Sequence, residues 1–129
     1  MAYRIYLVDD DRFLIDLYAM KFKNSGHDVE TFSNGEALIG ALSKEGAIAP
    51  DAILLDVIMP GMGGFDALEA MRRQKLVPQT KVIMLTNQGQ DADVETAKKY
   101  GVDGYIIKAS AIPSEVFAET IHILEKAPA

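Results

Sequence analysis

Cysteine is absent from all 129 positions, so disulfides and thiolate metal sites are excluded. No apolar run approaches the length of a membrane span, and residues 1–4 lead toward a first strand without a signal-peptide pattern. Both absences suit a cytoplasmic chain with no membrane partner. Positive charge is also scarce: 13 Lys and Arg stand against 19 Asp and Glu, a formal net charge of −6. A domain so acidic is a poor match for nucleic-acid phosphates, so no direct nucleic-acid contact is expected. What is present is an ordinary globular composition, 49% hydrophobic and 25% charged, over a length that fits one domain. Residues 1–129 show no linker, repeat or low-complexity segment, and only 126–129 look loose.

Strand-like and helix-like patterns alternate along the whole length. Residues 3–8 read as a strand ending in Asp9-Asp10-Asp11, and Leu14, Leu17, Tyr18 and Phe22 follow at helical spacing before Gly26. Residues 28–32 form a second strand. Ser33-Asn34-Gly35-Glu36 has capping-box spacing ahead of a helix with Ala37, Leu38, Ala41 and Leu42 as its buried stripe. The apolar run 52–55 ends on Asp56, and a loop with Pro60, Gly61, Gly63 and Gly64 follows. A helix over 65–73 should turn Phe65, Leu68 and Met71 inward. Residues 80–85 and 104–107 supply strands four and five, with a polar helix over 91–100 between them. Ser114 is expected to cap a last helix carrying Val116, Phe117, Thr120, Ile121 and Leu124.

Five strand–helix repeats with short connections predict an α/β fold with a parallel sheet and helices on both faces. Strand two is the most polar and should be an edge, while strands one, three and four should be interior. The order 2-1-3-4-5 of a flavodoxin-like (βα)5 three-layer sandwich satisfies this, with its switch point between strands one and three.

In that order Asp9 and Asp10 face Asp56 across the switch point. Three adjacent carboxylates repel one another and call for a cation. Oxygen donors with no His or Cys nearby favour a hard ion, magnesium over zinc or copper. Thr86 ends strand four and Lys108 ends strand five, aiming a hydroxyl and an ammonium at the same rim. Taken singly, each has an ordinary explanation: Asp10 or Asp11 as a helix cap, Asp56 as a loop carboxylate, Thr86 as a turn residue, Lys108 as a solvated amine. Their agreement on one edge is what points to a site.

The quoted residues resemble the receiver domain of two-component response regulators. The matches are Val8-Asp9-Asp10-Asp11, the run from Leu54 through Asp56 and Pro60 to Gly64, Met84-Leu85-Thr86, and the run from Gly101 through Tyr105 to Lys108. The resemblance covers essentially the whole chain, and it implies a single receiver domain over 1–129. By it, Asp56 is the phosphoacceptor for a phosphohistidine kinase or phosphotransfer protein. Mg2+, or Mn2+ in its place, would be held by Asp10, Asp56 and the backbone carbonyl of Ile58, with Asp9 acting through water. Lys108, the Thr86 hydroxyl and the backbone N–H of Asn87 would bind phosphoryl oxygens. Asp11 is left to cap the first helix. Thr86 and Tyr105 would form the switch, read by an effector protein or output domain at helix four, strand five and helix five. An ordinary half-buried strand tyrosine would instead keep its hydroxyl in water.

Three departures from the family pattern stand out. Ala109 follows Lys108 where proline is usual, in a loop about one residue longer, and a cis peptide without proline costs about 2.5–4 kcal/mol. Asn87 replaces a small residue. Ile58 and Gln88 border the position of the hydrolytic water, and an apolar Ile58 orients no water, which implies slow self-dephosphorylation. Three other readings stand beside this one. A haloacid-dehalogenase-like phosphatase would share Asp9-x-Asp11 but lacks the following Thr and a cap domain. A flavodoxin-type flavin carrier would need a Ser/Thr/Gly-rich loop where the three aspartates stand. A receiver-like scaffold would never be phosphorylated. On the leading reading the chain is a signalling domain that phosphorylates itself, not a turnover enzyme.

Overall fold

The computed structural model describes residues 2–86, 91–108 and 111–126, excepting the side chains of residues 91 and 92. Ten elements alternate along the chain: β1 (Arg4–Val8), α1 (Arg12–Asn24), β2 (Asp28–Phe32), α2 (Gly35–Ser43), β3 (Ala52–Asp56), α3 (Gly64–Arg73), β4 (Lys81–Thr86), α4 (Asp91–Lys99), β5 (Gly104–Ile107) and α5 (Pro113–Glu125). The strands form one parallel sheet in the order β2-β1-β3-β4-β5. This is the expected three-layer arrangement, with polar β2 at an edge.

Side-chain alternation divides the interior into two layers, because successive residues of a strand point to opposite faces. Ile5, Leu7, Ala52, Leu54, Ile83, Leu85 and Ile106 pack with Ile15, Tyr18 and Phe22 of α1 and Val116 and Ile123 of α5. Tyr6, Val8, Ile53, Leu55, Val82 and Met84 pack instead with Leu38 and Leu42 of α2, Leu68 and Met71 of α3 and Ala97 of α4. Each strand of the central trio is apolar on both faces, as a sheet covered on both sides requires.

Several local expectations are corrected. The stripe of α1 runs through Ile15, Tyr18, Ala19 and Phe22, while Leu17 faces outward. Asn34 caps α2 by accepting the Ala37 N–H at 2.8 Å, and Ala37 itself is exposed. Glu36 therefore closes no capping box. Its carboxylate leaves the helix and accepts the Met62 N–H at 3.2 Å, tying α2 to the loop after β3. Gly61 sits in that loop at φ 73°, with the Glu36 carboxylate against the space a side chain would need. Ser114 lies inside α5 instead of capping it. Pro113 opens the helix, where its missing N–H is harmless, and the Glu115 carboxylate accepts the Ile112 N–H at 3.0 Å.

Candidate functional site

The site is built at the carboxyl edge of β1, β3 and β5. The alternation that sends Leu7, Leu54 and Ile106 toward α1 and α5 continues to Asp9, Asp56 and Lys108, so all three project from the same face. Asp9 extends the ladder by donating its N–H to the Phe32 carbonyl at 3.1 Å, and Val57 does the same to Leu85 at 2.9 Å. Asp56 is thus held on a strand with backbone partners on both sides. Behind it, Gly64 starts α3 so close to the Asp56 carbonyl that a Cβ would collide with it. A glycine is required there.

Asp9 and Asp56 are buried, and Asp10 is exposed at the mouth. Each of the three offers a carboxylate oxygen, and these oxygens lie within 4.8 Å of one another. Lys108 is buried with them, its Nζ 2.9 Å from Asp9 Oδ2 and 3.4 Å from Asp56 Oδ1. The second Asp9 oxygen accepts the Asp11 N–H at 3.0 Å. Burial first, and then the Asp9 carboxylate, push Asp56 up to about 7, against the pull of Lys108. Burial acts to lower Lys108, but its bond to Asp9 and the Asp56 charge outweigh that and raise it. One ammonium shared by two buried carboxylates leaves the cluster short of positive charge. An all-oxygen donor set with unmet negative charge fits a hard divalent cation.

Asp11 stays outside this cluster and caps α1, its Oδ1 accepting the Leu14 N–H at 3.1 Å. Thr86 is buried at the end of β4, beside Asp56's strand, but its alternation follows Val82 and Met84 toward the opposite layer. Tyr105 packs against that layer. Its ring is half-buried, but its hydroxyl is buried and not in water, and it makes no hydrogen bond of good geometry among the described residues. Burial raises this phenol, and the neighbouring Thr86 hydroxyl opposes the rise. The side chain of Ile58 is 74% exposed at the rim. Asn87, Gln88 and Ala109, and hence the Lys108–Ala109 peptide, lie outside the described residues. A groove of about 560 Å³ lined by Arg4, Tyr6, Glu30 and Lys44 opens near the amino end of β1, away from Asp56.

Sequence reading assembled Asp9, Asp10, Asp56 and Lys108 at one edge, and the structure brings these four together. It missed the direct Asp9–Lys108 bond and the depth of the Tyr105 hydroxyl. It also took Tyr18 as plain core, although its buried hydroxyl has no partner among the described residues and feels the charges of Lys108, Asp9 and Asp56.

Comparison with known proteins defines the class of module to which this fold belongs. The family model for the response regulator receiver domain matches residues 5–117. The regulatory protein VanRc of Enterococcus gallinarum is 35% identical over 108 residues, 84% of this chain and 44% of the relative. The alkaline phosphatase synthesis transcriptional regulatory protein PhoP of Bacillus subtilis is 34% identical over 126 residues, 98% of this chain and 50% of the relative. Among solved structures, the BeF3-activated DrrB receiver domain superposes with a TM-score of 0.81 at 28% identity, covering 98% of this chain and 100% of that one. DrrB is an OmpR/PhoB homologue of Thermotoga maritima. The chain belongs to the response regulator receiver family and is a receiver domain of the two-component type. It spans about half the length of the curated relatives it matches. Among the described residues no helix is long and apolar enough to cross a membrane.

Proposed function

We propose that Asp56 is the phosphoacceptor of this receiver. The observation that carries the reading is a buried carboxylate facing Asp9, Asp10 and Lys108 at the end of a central strand. In the proposed step an Asp56 oxygen attacks the phosphorus of a phosphohistidine on a histidine kinase or phosphotransfer protein. An O–P bond forms, the N–P bond breaks, and the imidazole leaves with the bonding pair and takes up a proton. The product is a mixed anhydride, so charge neutralisation matters more than activation of a base.

Asp10 and Asp56, with the Ile58 carbonyl and with Asp9 through water, would hold Mg2+, for which Mn2+ could substitute. When bound, the ion supplies positive charge to the phosphoryl oxygens. Lys108 swings from Asp9 toward one of those oxygens. The Thr86 hydroxyl and the Asn87 N–H donate to others. The new group carries up to about two negative charges, and drawing Thr86 toward it changes the space open to Tyr105. The α4–β5–α5 face then presents the altered surface to an effector protein or to an output domain. No nucleic-acid contact by the receiver itself is needed. The domain acts in the cytoplasm as a signalling switch, with self-phosphorylation and slow self-dephosphorylation as its only chemistry. Exposed, apolar Ile58 orients no water, and the acyl phosphate should last minutes or longer.

The test is incubation with acetyl phosphate or phosphoramidate and Mg2+, read by intact mass. A gain of one phosphoryl group that disappears in Asp56→Asn is expected. Equal labelling of Asp56→Asn refutes the assignment, and no labelling of the natural sequence favours an unphosphorylated scaffold.

A further inference from the structure

Tyr18 carries a polar atom that its surroundings do not explain. The ring is 1% exposed, enclosed between α1, α5 and the sheet. Its hydroxyl is buried without a hydrogen-bond partner among the described residues. Phenylalanine would fill the same space without stranding an oxygen, and native interiors rarely keep such an atom without a use.

The hydroxyl belongs to the layer on the side of the sheet from which the site's charges project. Asp9, Asp56 and Lys108 project toward the layer that contains Tyr18, and Tyr18 lies about two turns along α1 from its N-cap at the site's edge. The charges that act on the phenol are those of Lys108, Asp9, Asp11 and Asp56. Burial holds it above its ordinary value, so it stays a hydroxyl that can donate one hydrogen bond and accept others. Lys108 has three N–H donors to place. One reaches Asp9 at 2.9 Å and another faces Asp56 at 3.4 Å.

We propose that the Tyr18 hydroxyl is a positioning group for Lys108, taking a hydrogen bond from the ammonium at the floor of the site as it turns from Asp9 toward a phosphoryl oxygen. This rests on the reading of Asp56 as phosphoacceptor. The chain has a particular need for such an anchor. Ala109 follows the lysine, and alanine does not fix the backbone there as a proline ring would. A hydroxyl mounted on a packed helix offers a fixed point from which the long lysine side chain can be aimed. It makes and breaks no covalent bond.

Tyr18→Phe keeps the ring and removes one oxygen. With phosphoramidate and Mg2+, its rate of Asp56 labelling is expected to fall about fivefold or more. Its Mg2+ midpoint should be unchanged and its thermal midpoint unchanged or higher. A second measurement uses the natural sequence with its five tyrosines labelled by 13C at Cζ. The Tyr18 resonance, identified by its loss in Tyr18→Phe, is expected to shift when Asp56 is phosphorylated. An unchanged labelling rate overturns the proposal. So does a slower rate with a Tyr18 resonance that stays in place, because the hydroxyl would then serve packing alone. If the natural sequence takes up no phosphoryl group, the phosphoacceptor reading itself falls and takes this proposal with it.

Discussion

Asp56 and Thr86 end neighbouring strands, yet they belong to opposite faces of the sheet. On the α1/α5 side, two buried carboxylates each lie within 3.4 Å of one buried ammonium, a concentration of charge shielded from solvent. On the α2–α4 side, Thr86 and Tyr105 bring two neutral hydroxyls into an apolar layer. The same edge thus separates two jobs by the period of a β-strand. Charge that can bind and react sits on one face, and groups that can move without large electrostatic cost sit on the other. Substitutions on the first face should change stability and chemistry together. Those on the second should change the response while leaving the ground state nearly intact.

The largest effect should come from Lys108→Met. It leaves Asp9 and Asp56 facing each other with no cation, and breaking a buried charge group in this way costs about 3–5 kcal/mol. Urea unfolding without divalent cation should show the loss, and added Mg2+ should recover part of it. A variant as stable as the natural sequence would break the comparison.

Asp56→Asn should act in the opposite direction. The Asp56 pKa is raised from 3.8 to about 7, so the folded state binds the extra proton between those values. Stability from this group is present at low pH and is lost as pH rises through that window. The asparagine variant should therefore be the more stable one at pH 8, by on the order of 2–4 kcal/mol without divalent cation, and near parity at pH 4. Denaturant titrations at the two pH values check the sign.

Thr86→Ala should slow Asp56 labelling by about tenfold, since one donor to the phosphoryl group is gone, while the Mg2+ midpoint stays put. A shifted midpoint would mean that the two faces are not separate. The smallest effect belongs to Tyr105→Phe, which removes a buried hydroxyl with no well-formed hydrogen bond. Its thermal unfolding should be unchanged or up by at most about 1 kcal/mol equivalent.

The fold was legible where the pattern was redundant. Continuous apolar runs placed β1, β3 and β4 inside, and Asp28, Glu30 and Thr31 placed β2 at an edge. The aspartates, Thr86 and Lys108 were legible because each stands at or just past the end of a strand, and strand ends share an edge. What escaped was decided by contacts distant in sequence. Glu36 could bond its own helix or the loop at Met62, and only the packing of that loop chooses. Leu14, Ile15, Leu17 and Tyr18 offer more than one helical stripe, and the position of α5 settles which is buried. The depth of the Tyr105 hydroxyl depends on α4, whose own sequence is mostly polar.

Every residue of β3 is buried, and the strand has neighbours on both sides, whereas β5 is a four-residue edge with one buried position. This sets a difference in clock rate within one site. Amide protons of residues 52–56 should exchange with solvent only through global opening, while those of β5 follow shorter-lived local openings. The nucleophile is mounted on the slowest part of the molecule. Tyr105 rides on one of the fastest, and Lys108 stands just past its end.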